Sequence, residues 1–348
     1  MGFLYSSVPL GVAIRRAALD ALYLSRAHTI SPRRFGGGGI IFCGHRICPS
    51  SPDSFQPNRG LECSPQFLEQ MLTFLAHEGI PVVTLHEALT RAAQGDGNCV
   101  CFTFDDGYRD NFEVALPIFQ RFNAPFTVFL TTGFINRTAT MWWSLVEEVL
   151  RENTEVFLHH RDGGLTLPTG TIALKRSAFK VLHGLFIAAS ASERERMAAQ
   201  LADRYGADLL ARHRNHAITW DMAREMVASG LVEFGCHTVT HPMMSRLSDI
   251  ELYDEVVASA SEIERKTGRA PILLAYPYGN LGAREMVLTE KLGFSAAVTT
   301  RPQVLTPATP HTPFAIPRVS LDGHYQALRY IKLFLSGLPF MLGRLAPS

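Results

Sequence analysis

Cys99-Val-Cys-Phe-Thr-Phe104 runs directly into Asp105-Asp-Gly-Tyr-Arg-Asp110. The first six residues are apolar, with β-branched and aromatic side chains among them, and read as a buried strand. Two adjacent carboxylates then stand at its C-terminal end, and Gly107 permits a sharp turn after them. In parallel α/β folds that rim is where functional side chains collect. The same residues also read as an acid-rich helix N-terminus, which the helix dipole favours.

Working outward, short β-rich runs alternate with longer helical ones, the pattern of parallel βα units. Strands are expected at Gly39–Gly44, Pro81–Leu85, Cys99–Phe104, Phe126–Thr131, Leu231–Cys236, Ile272–Tyr276, Ser295–Thr299 and Phe314–Val319. Helices are expected at Ser64–Glu78, Asn111–Phe122, Asp249–Thr267 and Ala283–Leu292. Pro117 is expected to shorten or kink the second of these. From about residue 140 to 217 the alternation stops, and helices at Trp142–Glu152, Thr171–Ala188 and Ser192–Arg204 read as an insertion without strands. A helical extension is expected over residues 1–35 and an amphipathic helix over 324–348. Setting these aside leaves about 210 residues within 36–323, the size of one α/β barrel. An open doubly wound sheet gives a similar pattern.

The chain has 348 residues, 47% apolar and 19% charged, enough to bury a large core and too apolar for disorder. Lys+Arg 33 against Asp+Glu 32 gives a net charge of +1, so no global field draws nucleic acid. The six cysteines make no disulfide framework and point to a reducing, cytoplasmic setting. The N-terminal Met1–Leu10 lacks the basic start and cleavage site of an export signal, though Met1-Gly2 with Ser6 formally fits a myristoylation pattern. The stretch Tyr330–Arg344 is apolar and lightly basic; it reads as a helix packed on the body, or as a contact with the inner face of the membrane.

A second cluster, Gly235-Cys-His-Thr-Val-Thr-His-Pro242, also follows a strand pattern. His237 and His241 are close enough in sequence for both imidazoles to reach one metal ion, and Pro242 predicts a turn at His241. Thr238 stands where a His-Glu-x-x-His site has its glutamate, so a general base must come from elsewhere. Two histidines and one carboxylate make a three-ligand site with open positions. The second carboxylate is then left to take a proton from water.

Thr103-Phe-Asp-Asp-Gly107 with His237-Thr-Val-Thr-His241 resembles the first two motifs of the polysaccharide deacetylases, carbohydrate esterase family 4 or the NodB homology domain. The resemblance runs from about Ile40 to Val319 and is nearest the exopolysaccharide type carrying a helical insertion. It implies a distorted (β/α)7 barrel. It implies Asp106, His237 and His241 as ligands of a divalent metal, zinc in most members, with Co2+, Ni2+ or Fe2+ as alternatives. Asp105 would be the base that activates water against the amide of an N-acetyl sugar. The third motif resembles Leu274-Ala-Tyr-Pro-Tyr-Gly279, where the backbone N–H of Tyr278 would stabilise the oxyanion.

This sequence departs from the family pattern in having Ala275 where many members carry the arginine that orients the base, and in lacking an Asp–Trp motif. Ile316-Pro-Arg-Val319 stands where the Leu–His motif of the general acid is expected. His45, at the end of the first strand, matches a histidine of related exopolysaccharide deacetylases and is read as the acid. Arg318 is read either as orienting or binding substrate, or as a structural ion pair. Tyr108 and Trp220 are read as substrate contacts, and Trp142 and Trp143 as a sugar platform or as packing of the insertion. The reading is thus a metal-dependent hydrolase of an amino-sugar amide in a poly- or oligosaccharide or a lipid-linked glycan. Its alternatives are a non-catalytic sugar-binding relative and a non-haem iron oxygenase.

Overall fold

The computed structural model describes residues 10–29, 39–160 and 163–342. Seven strands form its centre: β1 (Ile40–Gly44), β2 (Val100–Phe104), β3 (Phe126–Leu130), β4 (Val232–Cys236), β5 (Leu273–Ala275), β6 (Ala296–Val298) and β7 (Val319–Ser320). They lie in the order β6-β5-β4-β3-β2-β1-β7, and every pairing is parallel. Both faces of such a sheet are covered, which is why the strands read as continuous apolar runs. Phe42, Phe102, Phe104, Phe126 and Val128 pack with residues of the surrounding helices, such as Leu68 and Phe119. Their alternates Ile41, Cys101 and Phe129 pack with Ala275, Val298 and Ile316 in the interior.

The order is that of an open sheet, but its edges are joined. Ile316 bridges Val298, the Arg318 N–H donates to the Arg301 carbonyl at 3.1 Å, and Val319 then pairs with Phe42. Pro313–Ser320 therefore passes from β6 to β1 and closes a distorted (β/α)7 barrel. Phe129 fits inside because Gly235 has no side chain; a Cβ there would come within 2.3 Å of the Phe129 ring.

Register positions the site. β1 aligns with β2 from Ile40–Val100 to Gly44–Phe104, and β3 with β4 from Phe126–Val232 to Leu130–Cys236. The strand ends are level, so His45, Asp105, Thr131 and His237, each the next residue, emerge on one rim.

Several local expectations are corrected. Pro81–Leu85 is not a strand: Val82 makes a single bridge to Val100, then Thr84 caps a helix at Leu85–Ala93. Cap chemistry outweighs β-propensity there. Pro117 lies in the first turn of helix Leu116–Arg121, where its missing N–H is harmless, after a π-turn at Asn111–Ala115. The insertion is not all helix. Its helices Trp142–Glu152, Ile172–Ala188, Ala191–Tyr205 and Leu209–His216 pack with an antiparallel hairpin, Glu155–His160 with Gly163–Pro168. Val156 and Leu158 alternate into its core, and Asp162-Gly163 in the sequence is a hairpin signal.

Helix Leu10–Leu24 is tied to helix Leu328–Leu335 by Asp20 and Arg329, 2.6 Å apart. Tyr330, Ile331, Leu333 and Phe334 are buried in the core, so the apolar face of this C-terminal helix packs on the body; Met341 and Leu342 beyond it are exposed. Among the described residues no helix is long and apolar enough to cross a membrane. Residues 1–9, read for export and lipidation signals, and Arg161–Asp162 lie outside the described residues.

Candidate active site

His237 follows β4, and its Nδ1 lies 2.8 Å from the Ala275 carbonyl. A carbonyl only accepts, so Nδ1 carries the proton and Nε2 is left as a ligand atom. Asp106 Oδ1 stands 3.6 Å from His237 Nε2 and 3.4 Å from His241 Nε2. Donors held by a tetrahedral ion at its usual bond lengths are about 3.4 Å apart. Asp106 Oδ1 has no hydrogen-bond donor, and burial together with Asp105 pushes its carboxyl well above the usual range. Burial holds His237 and His241 below the usual imidazole range, in the neutral form that ligates. A buried carboxyl whose Oδ1 has no donor, facing two neutral imidazoles, fits a divalent ion, which would hold it in the ionised form.

The backbone is strained where these groups converge. Asp106 (φ 75), Thr238 (φ 65), His241 (φ 55) and Tyr278 (φ 58) all occupy the left-handed region. Each such residue costs on the order of 1–3 kcal/mol and persists only where its surroundings fix it. His241 takes the turn that Pro242 predicts, and its ring lies between those of Trp143 and Tyr278, at 5.4 and 4.5 Å.

Asp105 is held differently from its neighbour. Arg318, just before β7, donates from Nη1 to Asp105 Oδ1 and from Nη2 to Oδ2, each at 2.7 Å. Its Nη1 also reaches Thr103 Oγ1 at 3.0 Å, and its Nε the Thr299 carbonyl at 2.9 Å. Burial alone would raise the Asp105 carboxyl, but Arg318 and His237 hold it well below the usual range. Arg318 is 0% exposed although it lines the cleft, and both of its terminal nitrogens are bonded to Asp105. The guanidinium expected near Ala275 arrives instead from the segment that closes the barrel. His45 lies beside Asp105: one ligand atom from each, with Cys43 Sγ, falls within 4.8 Å of the others. Desolvation in the cleft draws His45 down to about 4, against the opposing pull of Asp105.

These groups line a cleft of about 480 Å³, to which the insertion contributes Trp142, Trp143, Phe179 and His183. Tyr278 and Asp322 also line it. Two residues read as substrate contacts are not there. Tyr108 is buried, and its hydroxyl accepts from Trp143 Nε1 at 2.7 Å, so it props the tryptophan rather than meeting a ligand. Trp220 begins a helix on the outer layer and donates to Asn136 Oδ1 at 2.8 Å, with Lys266 over its ring. An aromatic side chain in sequence carries no address, and Trp220 is not among the residues that line the cleft. Sequence reasoning passed over Thr103, Asp322, Arg194 and Glu255, all near the site. Only Thr103, two residues before Asp105 and hence on the same strand face, had a local signal.

The protein resembles known deacetylases in sequence and in fold. The Bacillus subtilis deacetylase-type protein YxkH is 28% identical over 102 residues, spanning 28% of this chain and 35% of that protein. The match thus covers about a third of its curated relative. The Streptococcus pyogenes deacetylase PplD, solved with acetate, superposes with a TM-score of 0.55 at 18% identity, covering 82% of this chain and 93% of that one. IcaB from Ammonifex degensii gives 0.54 at 19%, covering 86% and 97%. These likenesses show the fold. The family model "Polysaccharide deacetylase" matches residues 92–162 and 185–297, breaking only within the insertion and taking in both acidic and histidine motifs. With more than half of its length matched, this chain belongs to the polysaccharide deacetylase family.

Proposed function

We propose that the protein is a metal-dependent hydrolase that removes the acetyl group from an N-acetylated amino sugar in a polysaccharide, oligosaccharide or lipid-linked glycan. The observation that carries this reading is the pairing of two unlike carboxylates. Asp106 faces two neutral histidines without a cation, while the adjacent Asp105 is ionised and clamped by Arg318. Asp106, His237 and His241 would hold the ion, and the mixed nitrogen and oxygen set suits zinc, with Co2+, Ni2+ and Fe2+ as alternatives. Bound there, the ion would polarise the amide carbonyl and lower the pKa of water.

The chain's own groups divide the remaining work. Asp105 takes the proton as the water oxygen bonds to the carbonyl carbon, and Arg318 keeps the carboxylate aimed. The Tyr278 N–H, fixed by its left-handed backbone, donates to the oxygen on which charge develops. The C–N bond then breaks, and the amine leaves with a proton from His45. Because His45 rests neutral, that proton is the one Asp105 has taken from the water, passed to the adjacent His45, which returns Asp105 to its ionised form. Acetate and the free amine are the products. The cleft has room for one or two sugar units, with the tryptophans and Phe179 as its apolar wall. We place the reaction in the cytoplasm on the six cysteines, all of them free. The C-terminal helix is not proposed as a membrane contact, because its apolar face is buried.

Metal analysis and acetate release test the reading together. Purified protein should carry about one divalent ion per chain, lost in His237→Ala. Asp105→Asn should keep the ion and lose acetate release from N-acetyl saccharides. Equal turnover in Asp105→Asn and wild type would refute the mechanism. Absence of any ion after incubation with zinc, cobalt, nickel or iron would shift the reading to a sugar-binding relative, and iron-dependent oxygen uptake to an oxygenase.

A further inference from the structure

The loop Thr238–His241 contains two left-handed residues, yet few of the bonds that hold it come from its own strand. Thr132 and Gly133 lie under it: the Thr132 N–H donates to the Thr238 carbonyl at 3.2 Å and the Gly133 N–H to the Val239 carbonyl at 2.9 Å. A Cβ on Gly133 would meet that carbonyl oxygen at 2.4 Å, so the approach requires glycine. From helix Asp249–Thr267, Glu255 accepts the N–H groups of Val239 and Thr240 at 2.8 and 2.9 Å. From the insertion, on helix Ala191–Tyr205, Arg194 donates to the Thr240 carbonyl and the His241 carbonyl, both at 3.0 Å.

Arg194 is 3% exposed, and no carboxylate among the described residues lies within ion-pair distance of it. Burying a guanidinium is costly unless its donors are engaged. Here they are spent on the two carbonyls that flank the His241 N–H and on Thr240 Oγ1 at 3.4 Å. Glu255 and Arg194 thus grip the Thr240 residue from its amide and carbonyl sides and fix the direction in which the chain enters His241.

We propose that Arg194 is a positioning residue for His241, so that the insertion belongs to the scaffold of the ligand set as well as to the cleft wall. The inference rests on reading Asp106, His237 and His241 as metal ligands. Groups that orient ligands typically matter about 10–100-fold in metal affinity. The test titrates full-length metal-free protein with Zn2+ against a chromophoric chelator and records the visible spectrum of the Co2+ form. Arg194→Ala should bind Zn2+ about 10–100-fold more weakly and alter the Co2+ spectrum. Its His241 amide should exchange hydrogen faster in the metal-free state. Arg194→Lys, which can still donate to one carbonyl, should recover part of the affinity. Arg196→Ala, an exposed arginine on the same helix, should match wild type in all three measurements. Wild-type affinity and an unchanged Co2+ spectrum in Arg194→Ala would overturn the inference while leaving the ligand assignment intact. Failure of the wild type to take up either ion would overturn the ligand assignment itself. Should Arg194→Ala not fold, Arg194→Lys and Arg194→Gln carry the same comparison, and wild-type values in both would refute it.

Discussion

Replacing Arg318 with methionine leaves a carboxylate buried without its cation. The pair is fully enclosed, with both carboxylate oxygens of Asp105 bonded to the guanidinium at 2.7 Å. Removing one member of such a pair costs about 3–5 kcal/mol, most of it the charge left behind. At about 2 °C per kcal/mol for a chain of this size, Tm of the metal-free protein should fall by about 6–10 °C at pH 7. The loss should depend on pH. In the wild type the Asp105 pKa is depressed, so its contribution is complete above the ordinary carboxylate pKa and is lost as pH falls toward the folded value. In Arg318→Met the largest influence that lowers Asp105 is gone and burial outweighs what His237 and His45 supply, so its pKa rises and the folded variant takes up a proton more readily than the unfolded chain. The gap between the two proteins should therefore narrow from pH 7 to pH 4.5. Arg318→Met combined with Asp105→Asn, which removes the orphaned charge, should recover most of the lost Tm. Thermal unfolding in the presence of a chelator reads all of these. A gap under about 1 kcal/mol, or one that is the same at both pH values, would refute the reasoning.

His45→Gln should slow the hydrolysis of amides, whose amine leaves poorly, more than that of activated esters; equal slowing would assign His45 a positional role. Because the His45 pKa is depressed to about 4, it also opposes folding as pH falls from about 6.5, and the variant should lose stability less steeply over that range in a chelator-treated thermal series. Gly235→Ala should destabilise by about 1–3 kcal/mol through its clash with Phe129, read by urea unfolding, and Phe129→Leu in the same chain should restore part of it.

The barrel and its candidate metal ligands were legible because both depend on short-range order. A buried parallel strand is an apolar run, and its end marks the rim; Cys99–Phe104 followed by two aspartates states both facts within eight residues. His237 and His241 are likewise local. What failed was whatever depends on a distant partner. Arg318 was open to three roles because nothing near it names Asp105, two hundred residues earlier in the chain. Trp220 was placed at the mouth on its residue type, although Thr219 before it has the chemistry of a helix cap and so marks a helix start instead. The insertion hairpin was passed over because six-residue strands flanked by long helices are a weak periodic signal. Arg194 sits in an amphipathic helix whose pattern gives no hint that one buried position carries a charge.

The segment Pro313–Ser320 does two things at once: it seals the barrel and delivers the guanidinium to Asp105. During synthesis the three candidate ligands have all emerged by residue 241, whereas the partner of the base comes near the end of the chain. A chain stopped before residue 313 would hold a complete ligand set beside a second, uncompensated carboxylate, in a barrel with an open seam. It would carry the three groups proposed to hold a cation without the one that aims Asp105. On the function proposed above, the order of the chain would place the ligands of the ion before the group that aims the base.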